Sequence, residues 1–189
     1  VYRRYYDEIL ILLKTGLRIS EFCGLTVDDI NFADGIINID HQLLWETNKG
    51  FYIDTPKSKS SIRKVPMSEE ARKAFERVIA WRGEPAPHTV DGYSGFLFVS
   101  DSGKPYLADH YQTMLRRAVQ RYNKTHAEQL PKISPHVLRH TFCTRLASKN
   151  MNPKSLQYIM GHADINITLN LYSHVSLDAV KAEVVKLIA

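Results

Sequence analysis

Ser134-Pro135-His136-Val137-Leu138-Arg139-His140-Thr141 opens as a helix opens, with serine placed to cap and proline at the first helical position. From Pro135 the helical period puts His136 and Arg139 on one face, three residues apart, with His140 four from His136. The helix should reach about Ser148. Asn152-Pro153 repeats the same start, and Gly161 ends that short helix and leaves His162 at a turn. Thr168 to Tyr172 is helical again. Ser176 caps a last helix over 177–188, with an apolar stripe of Leu177, Val180, Val184, Leu187 and Ile188.

Upstream the pattern changes. Residues 2–15 carry Tyr5, Tyr6, Ile9, Leu10, Leu12 and Leu13 at helical spacing, Gly16 is the natural stop, and Ser20 is placed to cap a short helix through Leu25. Asp34-Gly35 then makes a tight turn into the strand Ile36-Ile37-Asn38-Ile39, and Asn48-Lys49-Gly50 turns into Phe51-Tyr52-Ile53. A basic stretch from Lys57 to Lys64 ends at Val65-Pro66, so 36–66 is expected to form one small antiparallel sheet with a basic hairpin. Ser68, followed by Glu69 and Glu70, starts a helix running to about Trp81. Residues 83–95 form a loop, and Phe96-Leu97-Phe98-Val99 a short strand or extended segment. A helix over 107–124 bears Arg116, Arg117, Arg121 and Lys124. The fold class is mainly α with a small antiparallel β-sheet (α+β), in one domain over 1–189.

The bulk composition narrows the classes. The chain has 189 residues, 44% hydrophobic and 24% charged, enough for one domain with an ordinary core. No apolar run approaches the ~20 residues of a membrane span, and no signal peptide opens the chain. Cys23 and Cys143 form no Cys-x-x-Cys pair, which argues against zinc and against a disulfide scaffold and fits a reducing cytoplasm. A net charge of +5 favours a polyanionic partner, though mildly. The chain begins at Val1 and runs straight into a helical pattern, so a preceding N-terminal portion is expected.

The side chains in these helices suit phosphoryl transfer. Arg139, joined by Arg18 of Gly16-Leu17-Arg18-Ile19-Ser20-Glu21, can clamp a phosphate by bidentate hydrogen bonds. A tyrosine can attack that phosphate while histidines move the proton. Each residue alone has an ordinary alternative: a surface ion pair for His136 and Arg139, a salt bridge to Glu21 for Arg18, a polar turn for His162, core packing for Tyr172. His136 and His140 could in principle chelate zinc, but Val137 stands where the zinc-protease motif needs glutamate.

Order and spacing together resemble the tyrosine recombinase, or phage integrase, family. The matching words are Thr15-Gly16-Leu17-Arg18-Ile19-Ser20-Glu21, His136-Val137-Leu138-Arg139-His140, Met160-Gly161-His162 and Leu171-Tyr172-Ser173-His174. The resemblance runs from the first helix to the tail and is similar to the catalytic domain of that family without the DNA-binding domains that precede it. The wording of the Thr55-Pro56-Lys57-Ser58-Lys59 stretch is most similar to integrases of conjugative transposons and temperate phages.

That resemblance implies a site-specific recombinase acting on double-stranded DNA through a 3′-phosphotyrosine. Arg18 and Arg139 would hold the phosphate, His162 would donate to it, Tyr172 would be the nucleophile and His136 the general base or proton carrier. A hairpin lysine would protonate the leaving 5′-oxygen; Lys57-Ser58 ahead of Ser61, Arg63 and Pro66 favours Lys57 over Lys59. Glu21 would orient Arg18. The resemblance implies no metal and no cofactor, assembly as a homotetramer on DNA, and an excision factor as a further partner. The 177–188 helix would dock either on its own domain or in trans on a neighbouring protomer. Rival readings are a Xer-like resolvase of chromosome dimers, a type IB topoisomerase-like activity, or an inert DNA-binding regulator.

Overall fold

In α1 (Tyr6–Thr15), Asp7 and Glu8 occupy the first turn and Lys14 the last, as the helix dipole favours. Gly16 closes it in the left-handed conformation at φ 64°, its N–H donating to the Leu12 carbonyl. α2 (Ile19–Gly24) is capped by Arg18 rather than Ser20. The Glu21 carboxylate reaches back to accept the Arg18 backbone N–H at 2.9 Å, half of a capping box, which fixes the helix start earlier than Ser20 would. The Ser20 hydroxyl donates instead to Gln42 Oε1. The computed structural model describes residues 5–55, 62–83, 88–172, 181 and 184–185.

The expected single sheet is two. β1 (Ile30–Asn31), β2 (Ile36–Ile39) and β5 (Arg63–Pro66) form one antiparallel sheet in the order β1-β2-β5; β3 (Gln42–Glu46) and β4 (Gly50–Asp54) form a separate hairpin. The division falls at Asp40-His41. There the buried imidazole meets Asp40 and the Gly24 carbonyl, and β3 lies along α2. The approach is so close that a Cβ on Gly24 would stand 2.9 Å from the Leu43 nitrogen. In the larger sheet Ile37 pairs with Val65 and Ile39 with Arg63. All four are buried, so the period-2 pleat turns the Arg63 side chain inward with the apolar residues.

α3 (Glu69–Arg82) is capped by Ser68, whose hydroxyl accepts the Ala71 N–H. It packs along α1, with Arg77 paired to Asp7 and Lys14 to Glu70. Phe96, Leu97 and Phe98 are buried in an extended segment joined to its neighbours by isolated bridges, Thr26 to Phe96 and Val99 to Pro105, rather than in a strand. α4 (Ala108–Thr125) follows. α5 (Pro135–Ala147) and α6 (Pro153–Met160) start at Ser134 and Asn152 as the sequence predicts. α7 (Ile165–Leu169) begins before Thr168 because the Asp164 carboxylate accepts the Asn166 N–H, and a 3-10 turn continues it over Asn170–Tyr172. Most of 177–188 lies outside the described residues. Lys181, Val184 and Val185 are helical, and the two valines are 46% and 67% exposed.

Two apolar clusters hold these elements. The larger takes in Ile11, Leu12, Phe22, Phe75, Phe98 and Tyr111, with the Phe22 and Phe98 rings stacked 3.8 Å apart. Its large side chains each contribute about 1.5–3 kcal/mol by leaving water. The smaller joins Cys143, Ala147, Leu156 and Met160, with Phe142, Met151, Leu171 and Tyr172 packed against it. It fixes α5, α6 and the turn that carries Tyr172 as one unit.

Candidate active site

Arg139 projects from α5 into the protein and is 8% exposed. One terminal nitrogen donates to the Gly16 carbonyl at 2.7 Å and the other to the Met160 carbonyl at 2.5 Å. Both acceptors lie at helix C-termini, of α1 and α6, where carbonyls lack intrahelical partners and carry partial negative charge. Burial, and next the charge of Arg18, pull its pKa down to about 10. It stays cationic at neutral pH.

Arg18 stands beside it, with a side chain 37% exposed. It donates to Glu21 Oε1 at 2.8 Å and to the Gly161 carbonyl at 2.6 Å. The expected pairing with Glu21 is therefore present. Glu21 serves a second arginine, however. Arg63, brought inward by β5, grips both carboxylate oxygens at 2.9 Å each and donates from Nε to the Ile159 carbonyl at 2.7 Å. Burial alone would raise the Glu21 pKa; the Arg63 bonds and charge, with those of Arg18, outweigh it and hold it below the ordinary carboxylate value.

Gly161, left-handed at φ 63°, ends α6 against these arginines. A Cβ there would stand 3.0 Å from an Arg63 terminal nitrogen and 3.1 Å from one of Arg18. His162 comes next, half-buried, its Nδ1 3.0 Å from the hydroxyl of wholly buried Thr168. Burial, followed by the charges of Arg139, Arg18 and Arg63, pulls its pKa down to about 4, so the imidazole is neutral at neutral pH. Arg18, Arg139 and His162 thus come together as the sequence predicts.

Tyr172 is held differently. Its ring packs on the smaller cluster and its hydroxyl donates to the Met151 carbonyl at 2.5 Å. Burial, then Cys143, raises its pKa, so the phenol keeps its proton. His136 is exposed on the first turn of α5, while Arg139 on the same helix points inward. His140, also exposed, meets the Thr144 hydroxyl one turn on. Lys57 and Lys59 lie outside the described residues.

Sequence reading missed Arg63 and Thr168 as parts of this site. The signal for Arg63 was its register: it alternates with Val65 on the apolar face of a strand, and a charge there needs a partner. Thr168 stands four residues before Tyr172, one helical turn away, but nothing in its spacing names His162 as its partner.

Two other features lie outside this centre. α4 exposes Arg116, Arg117, Arg121 and Lys124. Beside it runs a cleft of about 490 Å³, lined in part by Gln112, Arg116, Gln120, Asn123 and Lys132. Among the described residues, Asp29, Asp40 and His41 bring ligand-type atoms within 4.8 Å of one another. Those atoms are already engaged: His41 with Asp40 and the Gly24 carbonyl, Asp29 with the Thr26 N–H and hydroxyl.

A family model described as the phage integrase family matches residues 2–178. The transposase from transposon Tn916 of Enterococcus faecalis is 55% identical over 186 residues, 98% of this chain and 46% of its own length. A tyrosine recombinase of Agathobacter rectalis is 32% identical over 171 residues, 90% of this chain and 47% of its own. Among solved structures, the Tn1549 transposon integrase in complex with transposon right end DNA matches at a TM-score of 0.92 and 53% identity, covering 100% of this chain and 60% of that one. XerA recombinase matches at 0.66 and 26%, covering 97% and 56%. The chain spans about half the length of the curated relatives it matches.

Proposed function

The chain belongs to the phage integrase family, and from that membership we propose that it is the strand-cutting part of a site-specific recombinase that integrates and excises a mobile element. Its proposed substrate is double-stranded DNA; the similar Tn1549 transposon integrase was solved in complex with transposon right end DNA. The observation that carries the reading is the pairing of Arg18 and Arg139. Each guanidinium is fixed by a backbone carbonyl, of Gly161 and Met160, beside a neutral His162.

In this reading Arg18 and Arg139 bind the non-bridging oxygens of the scissile phosphate and stabilise the charge that builds in the transition state. His162 donates a further hydrogen bond. The Tyr172 oxygen leaves the Met151 carbonyl and attacks phosphorus. The bond from phosphorus to the 5′-oxygen breaks, leaving a 3′-phosphotyrosine. Because the phenol keeps its proton, a base must take it as the bond forms, and exposed His136 is assigned that role. Lys57 gives its proton to the departing 5′-oxygen. The phosphotyrosine keeps the energy of the broken diester, so a second 5′-hydroxyl reverses the reaction and seals a new junction.

The exposed cations of α4 suit flanking phosphates, with the salt dependence that counter-ion release imposes. Among the described residues no helix is long and apolar enough to cross a membrane; the proposed place of action is DNA in the bacterial cytoplasm. Assembly is proposed as a homotetramer on DNA, with an excision factor as a further partner and the 177–188 segment docking either on its own domain or on a neighbouring protomer.

The test is covalent trapping. Wild-type protein incubated with a nicked suicide duplex in EDTA should accumulate a protein–DNA adduct, and Tyr172→Phe should bind the duplex and form none. An adduct that survives Tyr172→Phe, or one that needs added metal, rejects the assignment.

A further inference from the structure

We propose that Arg63 is the dedicated counter-ion of Glu21, a positioning residue that leaves the charges of Arg18 and Arg139 available to the phosphate. The inference rests on the reading of this site as a phosphodiester cradle.

Accessibility separates Arg63 from Arg18. The Arg63 side chain is 0% exposed, so it cannot itself meet a DNA phosphate, whereas that of Arg18 is 37% exposed. Their bonds to Glu21 differ in the same sense. Arg63 presents a two-armed fork to both carboxylate oxygens, while Arg18 gives one arm to Oε1 and turns the other to the Gly161 carbonyl. The fork is the stronger and more directional arrangement.

Glu21 cannot simply be dispensed with. Its carboxylate starts α2 by accepting the Arg18 backbone N–H, and so fixes the segment from which Arg18 projects. Its negative charge at the heart of an anion site must then be cancelled. Arg18, Arg63 and Arg139 against Glu21 leave a net charge of two positive. A phosphodiester carries one negative charge and its five-coordinate transition state carries two, so the surplus matches the state to be stabilised. Without Arg63 the buried carboxylate would claim Arg18, and half of that surplus would vanish.

Placement supports the same role. Arg63 also holds the Ile159 carbonyl, and its guanidinium lies against Gly161, so it joins β5 and α2 to the end of α6 that presents His162. A buried ion pair is a weak device for stability alone, because desolvation offsets much of its attraction.

A charge cycle tests the proposal, read as the rate of adduct formation at saturating suicide DNA, with the folded fraction of each variant checked by thermal melting. Arg63→Met should slow cleavage by roughly 10²-fold, the scale of losing one transition-state donor, with DNA affinity little changed. Adding Glu21→Gln removes the carboxylate's charge and restores the surplus. The double variant should therefore cleave faster than Arg63→Met alone, by about tenfold or more, and close to Glu21→Gln alone. Losses that simply multiply would overturn the proposal, since a purely architectural ion pair predicts no rescue. Where Arg63→Met does not fold, Arg63→Lys decides. A preserved charge should keep the rate within about tenfold of wild type, and a drop beyond about 10²-fold would assign the residue to shape alone. If wild type forms no adduct, the recombinase reading itself fails and this inference falls with it. A wild type that cleaves while the double variant shows no rescue rejects this inference alone.

Discussion

His162 Nδ1 and the Thr168 hydroxyl lie 3.0 Å apart, and the threonine is 0% exposed. With the imidazole neutral, a hydroxyl that donates to Nδ1 leaves the ring proton on Nε2, where a phosphate oxygen can accept it. In the proposed mechanism Thr168 donates to Nδ1 and so sets the tautomer that makes His162 a donor to the phosphate. Thr168→Val removes the hydroxyl at nearly constant volume. It should cost about 1 kcal/mol of stability but roughly 10-fold or more in cleavage rate. Thr168→Ser should recover most of the rate. Equal activity of the valine and serine variants on suicide DNA would sink this assignment.

The same histidine gives a pH signature. Its folded pKa of about 4 lies below the ordinary 6.5, because burial and three arginines oppose a further positive charge. Between those values the unfolded chain binds the extra proton and the folded one does not, so stability rises with pH across that window. The contribution is fully present above about pH 6.5 and is lost as pH falls through about 4. Glu21, with its lowered pKa, adds a loss in the same direction, so the test is a difference. Denaturant melts of wild type and His162→Asn should converge as the pH falls towards 4. A difference that grows on acidification would show that the folded histidine is charged.

Lys57 and Lys59 are separated by chemistry rather than by position. Lys57→Ala should slow cleavage of ordinary DNA severely. It should cleave a duplex with a 5′-bridging phosphorothiolate almost as fast as wild type, because that leaving group needs no proton. If Lys59→Ala shows the rescue and Lys57→Ala does not, the general acid is Lys59.

Several helix boundaries were legible from one residue, Gly16 and Gly161 as stops and Ser68, Ser134 and Asn152 as caps, but the Asp164 cap of α7 was not read. Ser20 misled because the stronger acceptor for the start of α2 is a glutamate inside the helix, and the sequence offers both. The division of the sheet escaped reading because it depends on where β3 packs, a tertiary preference for α2 that alternation cannot express. Arg18, Arg139 and His162 were legible as a group because their motifs recur in a fixed order. Arg63 was quoted only as part of a wording, and its burial with Glu21 follows from the β2–β5 register. That register pairs residues 39 and 63, far apart in the chain. The bond from Tyr172 to the Met151 carbonyl had no local signal, since a backbone acceptor leaves no mark in side-chain identity.

An alanine series on three left-handed glycines separates backbone strain from site geometry. Gly16, Gly50 and Gly161 have φ of 64°, 76° and 63°, so a Cβ at each costs about 1–2 kcal/mol in the left-handed region. Around Gly50 nothing lies within 4 Å, so Gly50→Ala should show that cost and no more. At Gly16 the new methyl would stand 2.3 Å from the Phe142 ring, which packs against the smaller cluster. Overpacking should add about 1–3 kcal/mol, making Gly16→Ala the least stable of the three. At Gly161 the methyl meets guanidinium atoms of Arg63 and Arg18 at 3.0 Å and 3.1 Å. Those groups can yield by a few tenths of an ångström, so the added cost in stability should be small. The same displacement moves the Arg18 charge relative to the phosphate, and misplacements of about 1 Å can cost 10²-fold in rate. At about 2–4 °C per kcal/mol for a chain of this size, melting temperatures should fall in the order Gly50→Ala, Gly161→Ala, Gly16→Ala. Adduct formation per folded molecule should be near wild type for Gly50→Ala and strongly reduced for Gly161→Ala. A Gly161→Ala variant that cleaves suicide DNA at the Gly50→Ala rate would mean that the position of Arg18 is not set by the close packing at Gly161.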